Sequence, residues 1–231
     1  MYDRQMQLRR CDGSDMLTVD YDQSVFPFRE WFASVLGTND LENLHILRGV
    51  NVDSYASHVE VARTLCERSI EELQRLVHTF MSSEVEARFG PVAGFQPTPT
   101  LRFHFAVMAP ELREESADVL SMPPDSFLAK YYFDGARVGM FHRDRDYGLV
   151  PGSINIWVPV TNVSHSNGLW VGGPKAGGRD AEPVAMRVGQ ALFFDGTNRW
   201  HGAIWNTSGS TRVSFDVRFF PAVRDNQVVV Q

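Results

Sequence analysis

The chain has 231 residues, 43% of them hydrophobic and 22% charged, and a formal net charge of −6. This is the make-up of a folded globular protein and excludes global disorder, a collagen-like chain and a coiled coil. The acidic balance, with no Lys/Arg run, argues against a nucleic-acid partner, and no stretch approaches the roughly 20 apolar residues that span a bilayer.

In chain order, the first element expected is a short helix over Pro27–Leu36, where Phe28, Trp31, Phe32 and Val35 recur at three- and four-residue spacing. A longer helical segment, one helix or two, runs from Ser54 to about Phe89. Its stripe is Val59, Ala62, Cys66, Ile70, Leu73, Val77 and Phe80, with Ser54 as a candidate cap and Gly90-Pro91 as the stop. TPTLRFHFA (98–106) alternates like a strand. From Asp125 onward, strand candidates follow one another closely: 127–133, 137–142, 153–160, 168–171, 183–188, 191–194, 201–205 and 211–219. Turn pairs such as Asp134-Gly135, Pro151-Gly152 and Asp195-Gly196 separate them.

Eight short strands at near-even spacing predict a mainly β fold, a double-stranded β-helix or cupin-like jelly roll. One domain is expected over 1–231, with residues 1–122 as helical cover plus strands and 123–221 as the jelly-roll core. Met1 to Gln5 lack a signal-peptide core, and Cys11 and Cys66 are too few for a disulfide framework. A cytoplasmic protein with reduced thiols is expected.

The chemistry starts at His142-Arg143-Asp144. On an extended chain, residues i and i+2 point to one side, so an imidazole and a carboxylate can reach one ion. A surface histidine beside a solvated turn is the competing reading. His201, 57 residues after Asp144, opens another expected strand and supplies a second imidazole. Two imidazoles and one carboxylate form the facial triad of non-haem Fe(II) oxygenases, which leaves three octahedral positions open. Asp146 is a rival ligand, placed too far along an extended chain. On the next strand Arg212 and Ser214 share parity. A guanidinium fork with a neighbouring hydroxyl suits the far carboxylate of a dicarboxylate cosubstrate. A structural pair of Arg212 with Asp216 is the alternative.

Together, His142-x-Asp144, His201 and Arg212-x-Ser214 resemble the Fe(II)/2-oxoglutarate-dependent dioxygenases. The separation of 11 between His201 and Arg212 is similar to that of the phytanoyl-CoA hydroxylase-like branch, as is the run SINIWVPVTNVSHSNGLWV. The size is similar to that of small-molecule hydroxylases of antibiotic pathways, the StrG-like group. GGPKAGG (172–178) departs from the branch's Pro-Gly-Ser-His-type segment.

The resemblance implies iron on His142, Asp144 and His201, and 2-oxoglutarate held by Arg212 and Ser214. O2 is the oxidant and ascorbate a possible reductant; succinate and CO2 are released and a C–H bond is hydroxylated. A carboxylate at Asp144 argues against a halogenase. Tyr132 is similar to a tyrosine that touches 2-oxoglutarate in related dioxygenases, and is otherwise a core residue. Asn155 and Trp157, of one parity, are candidates to line the cosubstrate pocket. Arg102, His104, Arg137 and Trp200 are candidates for a small polar substrate, amino-acid-like or an aminosugar, with Asp195 and Asn198 near strand ends close by. A desaturase or cyclase, a non-catalytic jelly-roll binding protein and a zinc hydrolase are the alternatives.

Overall fold

The computed structural model describes residues 16–51, 53–106, 141–149, 152–173 and 180–222. Tyr132, Arg137 and the expected strand at 127–133 lie outside these residues, as does the strand at 137–142 except its last two positions.

The first element among the described residues is a strand that the sequence reading did not anticipate, β1 (Met16–Asp20). Helix α1 (Phe28–Leu36) follows as expected. It buries Phe28, Trp31 and Phe32 and ends at Gly37, whose φ of 73° is a left-handed conformation that glycine adopts without strain. One further turn, α2 (Leu44–Leu47), precedes the long helical segment. That segment is two helices, α3 (Tyr55–Glu67) and α4 (Ile70–Phe80), broken at Arg68-Ser69. A π-helical turn (Met81–Val85) leads into α5 (Glu86–Phe89), and Gly90 ends it. Ser54 does not cap α3 with its side chain. Its hydroxyl accepts the Asn51 N–H instead (3.1 Å), and its own N–H donates to Asn51 Oδ1 (2.9 Å).

Nine strands make two antiparallel sheets among the described residues. The larger has the order β1-β7-β4-β9, where β7 is Gln190–Phe194, β4 is Ile154–Pro159 and β9 is Arg212–Pro221. The free edge of β9 pairs with two short strands end to end, β3 (Thr100–His104) against its first half and β2 (Val92–Phe95) against its last residues. The smaller sheet is β6-β5-β8, from Glu182–Pro183, Trp170–Val171 and His201–Gly202.

Two expected strands are shorter than the alternation suggested. Of PVAMRV only Pro183 lies in a strand, Glu182–Pro183, with one bridge from Met186 to Val163, and HGAIW keeps only its first two residues. Strand β5 itself ends at Gly172-Gly173, where Asp180 folds over the chain and accepts the Gly173 N–H (2.9 Å).

Strand alternation divides the molecule into layers. The outward residues of the large sheet, among them Ile156, Phe193, Val213, Phe215, Val217 and Phe219, join α1 and α3 to α5 in the main core. Aromatic edges fasten this layer: the rings of Phe28 and Phe215 lie 4.9 Å apart, as do those of Phe89 and Phe193. The opposite face looks into the space between the sheets. There Trp157, Leu192 and Phe194 meet Leu169, Val171 and Met186. The same inner face carries the polar residues Asn155, Arg212, Ser214, Asp216 and Arg218.

Candidate metal centre and its surroundings

Three chain segments converge at one end of this inner space. His142 forms an isolated bridge with His201, each N–H donating to the other's carbonyl (3.0 and 2.9 Å). Asp144 begins a 3₁₀ turn (Asp144–Tyr147), and its N–H donates to Gly196 O (2.8 Å). One ligand atom from each of His142, Asp144 and His201 lies within 4.8 Å of the others. Asp144 Oδ1 faces both rings, 3.7 Å from His142 Nε2 and 3.5 Å from His201 Nε2. His201 Nδ1 donates to Arg199 O (3.0 Å), which leaves the Nε2 lone pair toward the cluster, the tautomer a metal ligand needs.

Asp144 is 1% exposed and anchored from behind. Arg218 forks onto it, Nε to Oδ2 at 2.8 Å and Nη2 to Oδ1 at 3.1 Å, and Asn155 Nδ2 donates to Oδ2 at 2.8 Å. Burial would push this carboxyl up. The Arg218 fork and the two imidazoles that face it outweigh burial and hold it well below the usual carboxylate range, so it is an anion at any working pH. Asn155 is itself pressed into place. A Cβ on Gly196 would stand 2.5 Å from Asn155 Nδ2, so only glycine fits there.

The donor set suits a divalent iron: two imidazole nitrogens and one carboxylate oxygen, all on one side. Two buried atoms mark where further ligand atoms fit. Asn155 Oδ1, beside the cluster, and Ser214 Oγ, deeper in, have no hydrogen-bond partner among the described residues. Arg212 lies on the same inner face, 3% exposed. Its Nη1 donates to Gly168 O (2.8 Å) and Asn167 O (3.2 Å), and its guanidinium lies 5.7 Å from the Trp157 ring. Along β4, then, Asn155 meets the cluster and Trp157, two residues on, meets Arg212.

Asp216 pairs with Arg102 rather than Arg212 (2.8 Å), and this carboxylate raises the Arg102 guanidinium further above its already high range. His104, on the same side of β3 as Arg102, is fully buried, and burial together with Arg212 keeps its imidazole well below the usual histidine range. It is neutral and offers no charge to an acidic group. An unfolded His104 binds a proton near pH 6.5, whereas the folded one does so only at a much lower pH. The unfolded state therefore gains protons first on acidification, and stability present above pH 6.5 is lost as the pH falls. His104→Gln should flatten the fall in urea midpoint between pH 6.5 and about 5. An unchanged slope would place the titration elsewhere.

At the mouth, Arg143 lies over Trp200 (4.7 Å) and is bound to Asp146, so Asp146 is no ligand in this arrangement. Asp195 accepts from the Asn198 backbone and side chain and closes the turn before His201. Tyr147, 63% exposed, stands edge-on to His142 with ring centres 5.0 Å apart. The sequence reading missed Tyr147, Gly196 and Arg218. Arg218 had a signal, sharing parity with Arg212 and Ser214, and Gly196 stood out only as a turn glycine.

No protein-family model matches the chain. It is 31% identical to the streptomycin biosynthesis protein StrG of Streptomyces griseus over 204 residues, 87% of this chain and 82% of StrG. Among solved structures it is similar to apo ThoJ, a non-heme monooxygenase, with a TM-score of 0.51 at 14% identity, over 95% of this chain and 77% of ThoJ. The ThoJ–nickel complex gives 0.49 at 15% identity over the same shares. The ThoJ likeness is one of fold. With StrG matched along most of both chains, the chain belongs to the family of the streptomycin biosynthesis protein StrG.

Proposed function

We propose that the protein is an Fe(II)- and 2-oxoglutarate-dependent oxygenase that hydroxylates an unactivated C–H bond of a small polar molecule, amino-acid-like or an aminosugar, in specialised metabolism. The observation that carries this reading is one continuous inner face, with the His142–Asp144–His201 cluster at one end and the buried Arg212 guanidinium beyond Trp157. StrG, named for streptomycin biosynthesis, supports an antibiotic-type substrate.

When bound, iron and 2-oxoglutarate supply the oxidation by O2 and release succinate and CO2. The chain's own part is placement. His142, Asp144 and His201 would hold the metal. Arg212 and the unpartnered Ser214 hydroxyl would hold the far carboxylate of the cosubstrate, with Trp157 packed beneath the guanidinium. The apolar residues Leu192, Phe194, Leu169 and Val171 keep water from the space between the sheets. The carboxylate at Asp144 favours hydroxylation over halogenation, because no ligand position is left for a halide in its place.

Adding Fe(II) and 2-oxoglutarate without oxygen should produce a visible charge-transfer band that neither gives alone. Absence of the band would remove the cosubstrate from the proposal. Succinate release, screened over amino acids and aminosugars, then identifies the substrate class, and product analysis separates hydroxylation from desaturation or ring closure.

A further inference from the structure

We propose that Arg218, with Asn155, is a positioning residue that limits Asp144 to a single oxygen at the metal. The inference rests on the metal-binding reading above and adds a role for residues outside the ligand set.

The two oxygens of Asp144 are not equivalent. Oδ1 is the one turned to both imidazoles, at 3.5 and 3.7 Å. Oδ2 accepts two hydrogen bonds at 2.8 Å, from Arg218 Nε and Asn155 Nδ2. A carboxylate oxygen has two lone-pair directions in its plane, and here both are taken. For Oδ2 to approach a metal, one of these bonds must break. The guanidinium fork also fixes the plane of the carboxylate, because its second N–H reaches Oδ1 at 3.1 Å.

The fork is braced in turn. Arg218 Nη1 donates to Gln96 Oε1 at 3.3 Å, and Gln96 Nε2 donates to Thr98 O (2.7 Å) and Thr100 Oγ1 (3.1 Å). Asn155 sits opposite Arg218 in the β4–β9 register, so adjacent strands deliver both donors to one oxygen. Asn155 fills the space that a Cβ on Gly196 would take.

The consequence is chemical. A carboxylate free to chelate through both oxygens would fill one of the three positions left by a facial triad. Clamped at Oδ2, it takes one position and keeps the others open for cosubstrate and O2. The guanidinium also compensates the carboxylate before any metal arrives, so the ligands stand assembled in the metal-free protein.

The test is Co(II) binding to the full chain without 2-oxoglutarate or oxygen, followed by the visible ligand-field spectrum. Arg218→Met should weaken Co(II) roughly 10- to 100-fold, the usual effect of losing a partner of a metal ligand, and should change band positions and intensities. Arg218→Lys keeps the charge without the fork and should remain close to Arg218→Met. Asn155→Ala removes one anchor and leaves no buried charge unpaired, so it decides the matter if Arg218→Met does not fold; it should weaken Co(II) several-fold and shift the bands in the same sense. Wild-type affinity and spectrum in Arg218→Met, or in Asn155→Ala where it stands in, would overturn the proposal, and so would full recovery in Arg218→Lys. If the wild-type protein itself binds no Co(II) or Fe(II), the oxygenase reading fails rather than this refinement.

Discussion

Asp144→Ala should reduce substrate-coupled succinate release to background and at the same time destabilise the metal-free protein. Both effects come from the same contacts. The substitution removes the only carboxylate of the His142–Asp144–His201 cluster, so two imidazoles remain where three ligands are needed. It also strips Arg218 of the partner that takes two of its N–H groups, and Asn155 Nδ2 of its acceptor. Breaking a fully buried ion pair from one side costs about 3–5 kcal/mol. Arg218 retains some contact with solvent, so the expected loss is about 2–3 kcal/mol, read from urea unfolding without metal. Turnover retained in Asp144→Ala would move the carboxylate ligand elsewhere. Unchanged stability would mean that Arg218 finds another anion.

The second large effect is expected at Arg212. Arg212→Ala should weaken 2-oxoglutarate by at least about 30-fold, since truncating one partner of a buried charge pair costs about 2 kcal/mol or more. Metal affinity should stay near wild type, because Arg212 does not touch the cluster. A titration of the anaerobic charge-transfer band with 2-oxoglutarate measures the first, and Co(II) binding the second. The variant should also unfold earlier by about 1–3 kcal/mol, because the Asn167 and Gly168 carbonyls lose their buried donor. Arg212→Lys should recover little of the cosubstrate affinity, since an ammonium cannot reproduce the planar fork. An unaltered 2-oxoglutarate titration in Arg212→Ala would assign the far carboxylate to another cation.

The candidate site was legible in the sequence to the extent that its chemistry is local. His142 and Asp144 are two residues apart, and β9 writes its two faces as Arg212, Ser214, Asp216, Arg218 against Val213, Phe215, Val217, Phe219. Parity alone puts the first set on one side. It does not tell which of them stands beside Asp144. That depends on the pairing of β4 with β9, which sets Asn155 opposite Arg218 across more than 60 residues of chain. Arg212 drew attention through its distance from His201, while Arg218, which grips the ligand, had no such marker.

The fold shows the same division. The helices α1, α3 and α4 carry their own periodicity and were readable. Strand β1 was not, because five residues, three half-buried and two exposed, gain their character only against β7. Strand β8 was over-read because buried Ala203, Ile204 and Trp205 have the composition of a strand, although only His201 and Gly202 pair as one. His104 shows how position overrides residue type. A histidine in an alternating strand suggests a wet face, yet pairing opposite Arg212 takes it fully inside.

Strand β9 serves two masters with alternate residues, and this ties assembly to activity. A slip of one position against β4 would send Phe215 and Phe219 into the space between the sheets and drive two arginines into the aromatic layer under the helices. No half-working product of such an error is available. Register between β4 and β9 therefore seals the aromatic layer and lines up the polar row in a single event, and neither forms without the other.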